Sequence, residues 1–265
     1  LLLNDPKANK VRGVAKLTKK DARSSTGLFL LEGPQGLKEA LDRPKLIVEL
    51  YATEEAVARY PELVERAKAA RIEVQLVTEP VLKALSDTTS PQGVVAVCQQ
   101  LHVSLDAVIA AKPRMVALLS NIRDPGNAGT VLRAADAAGA DAVIFTSNSV
   151  DVYNPKVVRS TTGSLFHLPL VIDADLELTI DALKEAGLQV FAANGGGDEL
   201  SKLGSDVLAK PTAWVFGNEA WGFEPETLEL VDRQVGVPIY GAAESLNLAT
   251  AASICLYASA FAQNA

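Results

Sequence analysis

The sequence predicts an α/β protein in two parts, and three observations carry that reading. Strand-like apolar runs alternate with segments of helical period along nearly the whole chain. In the C-terminal part those runs, such as 115–119, are apolar without alternation, as in a parallel sheet covered on both faces. At 265 residues, 48% of them hydrophobic, the chain carries enough apolar material for two domains or one large one.

Taken in order, residues 1–26 read as a basic arm or short helix ending at Ser24-Ser25-Thr26-Gly27. An apolar run over 28–31 follows, then a helix-like stretch over 35–41, a strand over 46–51 and a helix over about 61–70. A strand over 72–77, a short helix near 81–85 and a strand over 93–98 complete a small α/β sandwich. Residues 104–113 read as a linker whose 105–111 segment has helical character, and the domain boundary is placed at 110/111. Beyond it, strands are expected over 115–119, 142–145, 190–193 and 213–216, with a shorter one at 235–237. Helices are expected over about 130–138, 155–160, 178–186, 224–230 and 246–261. The last is small or apolar nearly all round, so it must be buried on several sides, and a subunit interface is expected there.

Composition narrows the setting. No apolar run reaches the roughly 18 residues of a membrane span and no secretory signal is visible, so a cytoplasmic protein is expected. Cys98 and Cys255 sit in apolar surroundings without Cys-x-x-Cys spacing and read as buried free thiols. Beside them stand only His102 and His167, so no zinc site is expected. The net charge of −7 argues mildly against nucleic acid, but its distribution does not. Residues 1–111 carry 15 Lys and Arg against 14 Asp and Glu, whereas residues 112–265 carry 10 against 18. Between Lys7 and Arg23, seven basic residues face Asp21 alone. Local basic density favours phosphate contact there, and a solvated helix face is the plain alternative.

The most informative stretch is Asn121-Ile122-Arg123-Asp124-Pro125-Gly126-Asn127-Ala128-Gly129-Thr130-Val131-Leu132-Arg133. It reads as a strand end, a tight loop and a helix start, with Gly126 and Gly129 letting the backbone approach a ligand and Asn127 capping the helix. Helix starts of this kind hold anions or nucleotides through their unpaired N–H groups. Arg133 lies a turn or two further on, and its guanidinium can reach back towards whatever the loop faces. Two further segments join it. One is Trp214-Val215-Phe216-Gly217-Asn218-Glu219-Ala220-Trp221-Gly222-Phe223; the other is Val237-Pro238-Ile239-Tyr240-Gly241-Ala242-Ala243-Glu244-Ser245-Leu246-Asn247-Leu248.

In this order and spacing the three segments resemble the signature motifs of the SpoU (TrmH-like) family of knotted RNA ribose methyltransferases, from about Met115 to the end of the chain. A weaker echo at Phe29-Leu30-Leu31-Glu32-Gly33-Pro34, with Leu37 and Ala40, is similar to the family's substrate-binding domain, which has a fold like ribosomal protein L30e. The resemblance implies a deep trefoil knot near the C-terminus, a homodimer, and S-adenosylmethionine as cofactor. It implies transfer to a ribose 2′-hydroxyl of structured RNA. Similarity of the N-terminal part to ribosomal-RNA methylating members, including thiostrepton-resistance types, favours 23S rRNA over transfer RNA.

The resemblance also assigns residues. It makes Arg133 the catalytic arginine that helps to deprotonate the ribose hydroxyl with a phosphate nearby; because its pKa exceeds about 12, stabilising the developing alkoxide is an equally defensible role. Asn127 would orient that arginine or the substrate, and Glu219 would pin Arg133 or bind backbone N–H groups. Ser245 and Asn247 fall in the active site or, more plainly, cap the last helix. Gly217 and Asn218 belong to a loop that wraps the cofactor, Val237 and Ile239 wall the adenine pocket, and the Leu246 backbone meets the adenine. Asn194 and Gly195, in Asn194-Gly195-Gly196-Gly197, form a loop beside the cofactor or a simple turn. RNA contacts are expected from Lys16, Lys19, Lys20 and Arg23, and from Arg159, which contacts RNA or a neighbouring subunit. Trp221 departs from the family, which more often has a smaller residue there, and would alter the rim of the cofactor pocket or stack on a base. Two other readings compete: a dinucleotide-binding oxidoreductase, which lacks its Gly-x-Gly-x-x-Gly fingerprint here, and a non-catalytic RNA-binding module.

Overall fold

The computed structural model describes residues 2–265. In chain order it contains α1 (Asn9–Ala15), α2 (Lys20–Thr26), β1 (Leu28–Glu32), α3 (Pro34–Ala40), β2 (Ile47–Ala52), α4 (Glu54–Arg59), α5 (Pro61–Ala69), β3 (Val74–Leu76), α6 (Glu79–Leu85) and β4 (Val94–Gln99). Then follow α7 (Leu105–Ala110), β5 (Met115–Leu119), α8 (Pro125–Ala137), β6 (Ala142–Thr146), α9 (Pro155–Thr161), β7 (Leu170–Ala174), α10 (Leu176–Glu185), β8 (Gln189–Glu199), α11 (Ser205–Leu208), β9 (Thr212–Phe216), α12 (Pro225–Leu230), β10 (Arg233–Gly236) and α13 (Leu248–Gln263). Residues up to Leu101 together with Tyr153–Phe166 form one compact unit; His102–Val152 with His167–Ala265 form the other.

The first unit is a four-stranded mixed sheet ordered β1-β4-β2-β3, in which only β2 and β3 are parallel. Its strands alternate their side chains between two faces. Leu30, Tyr51, Val95 and Val97 pack with Val11 and Val14 of α1 and with Val81, Leu82 and Leu85 of α6. On β1, Phe29 meets Tyr153 and Phe166 at ring-centroid distances of 4.9 and 6.3 Å. The 153–166 segment, which the sequence places beyond the 110/111 boundary, therefore packs within the first unit.

The second unit is a wholly parallel sheet ordered β10-β8-β9-β5-β6-β7. The central strands β5, β6 and β9 are buried at every position. One core joins Val116, Leu118, Ile144 and Val190 to Ile180 and Leu183 of α10. α13 packs its small residues (Ala249, Ala252, Cys255, Ser259) inward; the indole of the fully buried Trp214 donates to Ser259 Oγ at 2.9 Å. Ile254, Tyr257 and Phe261 remain on its exposed face.

Three expectations change in detail. α8 starts at Pro125 and not at 130, because Asp124 caps it: the carboxylate accepts the Asn127 N–H at 2.7 Å, and Pro125 presets the first helical φ. Gly126 and Gly129 are therefore helical residues, and Asn127 is not the cap. β8 runs on through the glycines, yet its pairing with β10 jumps from Gln234↔Ala192 to Val235↔Asp198, so the residues between leave the ladder as an excursion.

Candidate active site

The strand order reverses between β5 and β9, whose following connections leave towards opposite edges of the sheet. Open parallel sheets bind ligands at the carboxyl ends of strands at such a point. Here the loop after β5 meets the loop after β9. Glu219 accepts the backbone N–H groups of Arg123 at 3.1 Å and Asp124 at 3.0 Å, and the Asn127 amide at 3.5 Å. Asn247 donates to Asn127 Oδ1 at 3.0 Å, while its own Oδ1 accepts from the N–H groups of Ala249 and Thr250 and so caps α13. One chain of hydrogen bonds thus joins Glu219, Asn127 and Asn247 from the three sequence segments.

The Glu219 loop is rigidly built. Asn218 and Gly222 exchange two backbone hydrogen bonds at 2.8 and 2.9 Å, and the buried Asn218 amide donates to Asn121 O at 2.7 Å. Gly217 is required because a Cβ there would lie 2.5 Å from Gly222 O.

Beside this network lies a cleft of about 620 Å³, lined by the β8 excursion, by Asn218 and Glu219, and by residues 235–251 in part. Asn194, Gly195, Asn218, Val237, Ile239, Leu246, Glu219 and Ser245 all line it; Gly217, Asn127, Asn247 and Arg133 do not. Its backbone walls are close: a Cβ on Gly236 would stand 3.0 Å from Gly195 O, and one on Gly197 2.3 Å from the Gln234 carbonyl carbon. Glu199, outside the three segments, also lines it, as do Tyr240 and Glu244, which lie in the third segment but carry no assigned role there. Asp followed by Pro is the signal that places the start of α8, which the reading from Asn127 passes over; Glu244 lies in the third segment without a role assigned to it, and nothing in the sequence marks Glu199.

Arg133 is exposed on α8, and its guanidinium makes no hydrogen bond or ion pair among the described residues; Glu219 therefore does not pin it. Cys255 is buried and its thiol is pushed up to about 12 by desolvation, so it is no thiolate nucleophile at neutral pH.

The RNA-contact expectations divide. Lys16, Lys19 and Lys20 are exposed. Arg23 is 2% exposed and donates to Leu17 O at 2.9 Å, because it falls on the inner face of α2; it offers nothing to a phosphate. Arg159 is engaged as well, bound to Glu32 at 2.8 Å and Asp87 at 3.0 Å, with Glu32 also accepting the Thr88 N–H. Its guanidinium ties the 86–92 loop to β1 and is already neutralised twice over.

A parallel sheet with a glycine-walled, carboxylate-bearing cleft beside its reversal point is the architecture of α/β proteins that take nucleotide-like ligands. The SpoU rRNA Methylase family model matches residues 114–257, and the model for RNA 2′-O ribose methyltransferase substrate binding matches residues 30–104. The chain is 36% identical to the 23S rRNA (guanosine(2553)-2′-O)-methyltransferase RlmP of Bacillus subtilis, over 96% of this chain and 97% of that one. It superposes on an AdoMet-bound rRNA methyltransferase from Sinorhizobium meliloti with a TM-score of 0.85 at 29% identity, covering 98% and 97% of the two chains. It also superposes on the AdoMet complex of the SpoU methyltransferase AviRb from Streptomyces viridochromogenes with a TM-score of 0.81 at 29% identity, covering 96% and 98%. The chain belongs to the SpoU rRNA methylase family. It is an S-adenosylmethionine-dependent RNA ribose 2′-O-methyltransferase, and the oxidoreductase reading falls away.

The cleft fits that cofactor. Its volume is within the range of small-molecule sites, and Val237, Ile239 and Leu246 give an apolar wall suited to adenine. Glu199 and Glu244 suit ribose hydroxyls and a cationic amine.

Proposed function

We propose that the enzyme methylates a ribose of 23S rRNA. Relatives named for that substrate align with almost the whole chain, the N-terminal unit included. The geometric observation that carries the catalytic reading is the Glu219–Asn127–Asn247 chain of hydrogen bonds beside the cleft, with the unpaired Arg133 further along α8.

In this reading Asn194, Gly195, Asn218, Val237, Ile239 and Leu246 hold S-adenosylmethionine, which supplies an electrophilic methyl group when bound. Gly217 acts by letting the loop close. Glu219 fixes the turn after β5, Asn127 transmits that position to Asn247, and Ser245 orients the acceptor ribose from the cleft wall. Arg133 stabilises negative charge on the 2′-oxygen as its proton passes to a neighbouring phosphate of the RNA; an arginine free of internal ion pairs has its full charge for this, whereas acting as a neutral base would be expensive.

Residues 1–110 bind the RNA and residues 111–265 carry the chemistry, with Lys16, Lys19 and Lys20 meeting phosphates. The enzyme works in the cytoplasm as a homodimer built on the exposed Ile254, Tyr257 and Phe261 stripe of α13. A stable interface of this apolar type buries on the order of 2,000 Å² or more. The chain carries a trefoil knot; in support, it runs from the β10 edge of the sheet back to α13, whose Tyr257 bonds the end of α8 at 3.2 Å.

The substrate is tested with labelled S-adenosylmethionine and transcripts of 23S, 16S and transfer RNA. Incorporation into 23S RNA alone is expected; label in transfer RNA alone would overturn the choice.

A further inference from the structure

Two tryptophans occur in the chain, and they sit in opposite environments. Trp214 is fully buried. Trp221 is 54% exposed, and makes no hydrogen bond or ring contact among the described residues. The fold does not need its indole. The loop that bears it is closed by the paired Asn218 and Gly222 backbones and held by the Asn218 amide. That loop is nonetheless placed at the active site: Asn218 and Glu219, three and two residues before Trp221, line the cofactor cleft, while Trp221 itself does not. A large, half-exposed aromatic face therefore stands outside the cofactor cleft, two residues along the chain from the group that organises the catalytic loop.

The charge around it decides what it meets. Glu219, Glu224 and Glu226 are exposed close by in sequence, and Glu199 and Glu244 line the cleft. These glutamates outnumber the exposed cations of the adjoining loop and helix, Arg123 and Arg133, so the rim does not favour a phosphate backbone. A nucleobase offers an uncharged π-face, and stacking on an aromatic ring binds it without a cation.

We propose that Trp221 is the stacking platform for an unpaired base of the RNA at or next to the target ribose. It is a positioning residue, acting by fixing the nucleotide whose sugar reacts. The inference rests on the RNA methyltransferase reading and adds the recognition of a splayed-out base.

The test uses the full chain and a 23S rRNA transcript. Because Trp214 is buried, collisional quenching by acrylamide reports Trp221. Addition of the transcript is expected to shield that emission and quench it, with S-adenosylmethionine alone doing neither. Trp221→Ala is expected to raise KM for the transcript roughly tenfold or more. Cofactor affinity should stay unchanged, and Trp221→Phe should recover most of the loss. Unaltered binding and methylation by Trp221→Ala would overturn the platform. A loss of cofactor affinity would place the ring in the cofactor site, and a change confined to self-association would place it at a subunit contact; either overturns the proposal. Wild-type protein that methylates no transcript would instead sink the reading beneath it, and the platform with it.

Discussion

At the scale of single residues, the site separates groups that hold from a group that is held ready. Glu219 satisfies two backbone N–H groups and Asn247 caps α13 while bonding Asn127, so both serve the fold and the site at once. Arg133 serves neither locally, and its substitution should leave the fold intact. Arg133→Ala is expected to lower methyl transfer by about 10²–10³-fold with cofactor affinity nearly unchanged, as for loss of one transition-state donor. Calorimetry with S-adenosylmethionine beside single-turnover kinetics checks both halves, and turnover above a tenth of wild type would remove Arg133 from the chemistry. Glu219→Gln should act differently. An amide keeps one acceptor oxygen for two N–H groups, so the turn at Arg123 and Asp124 loosens. Both turnover and thermal stability should fall, the latter by about 1 kcal/mol, and an unchanged melting midpoint would contradict the role given to this carboxylate. At this scale the sequence is only partly legible. Asn247 can be seen both as a cap and as a site residue. Arg23 cannot be told from its exposed basic neighbours, because which face of α2 turns inward is set by how the helix packs on β1 and on the turn that holds Leu17.

At the scale of elements, the cleft is made of places where backbone meets backbone. Gly217→Ala puts a methyl group 2.5 Å from Gly222 O, and no flexible side chain is there to yield. The loop must shift, and overpacking of this kind costs about 1–3 kcal/mol. Since Asn218 and Glu219 follow directly, cofactor affinity should fall at least tenfold in the same variant; wild-type affinity would show that the loop's closure does not shape the cleft. The strong, long elements are readable from pattern: β5, β9 and the buried α13 all follow from unbroken apolar runs. β7 is not, because it is a short edge strand whose apolar run ends at Asp173, a residue with φ of +53°. The β8 excursion is legible as a loop at Asn194-Gly195-Gly196-Gly197, but no local pattern says that the strand resumes pairing beyond it. α9 is legible in its place along the chain, while its packing on β1 depends on Phe29 meeting Tyr153 and Phe166, more than 120 residues away in sequence.

At the scale of the whole molecule, the charge asymmetry becomes a division of labour. Lys16, Lys19 and Lys20 are exposed in a unit of near-neutral balance, whereas the catalytic half is strongly acidic. Converting all three to Glu in the full chain should weaken RNA binding and lower the salt dependence of its logarithm by roughly two to three, about 0.7–0.9 for each phosphate no longer neutralised. Cofactor affinity should not move, and an unchanged salt slope would exclude this face. Removing the N-terminal residues altogether is a poorer test, because it strips Phe29 from Tyr153 and Phe166 and exposes their rings. Knot and dimer belong to this scale too, and neither is a property of any local pattern. What unites the scales is the chemistry assigned to the site: a poor nucleophile is oriented and its developing charge stabilised, with no thiolate nucleophile from Cys98 or Cys255, whose buried thiols are both pushed up to about 12. The direct test is to map the methylated nucleotide and then offer the same RNA with a single 2′-deoxy sugar at that position. The deoxy substrate should accept no methyl group, and the natural product should resist alkaline cleavage there; methylation of the deoxy substrate would show that the acceptor is the base and contradict ribose transfer.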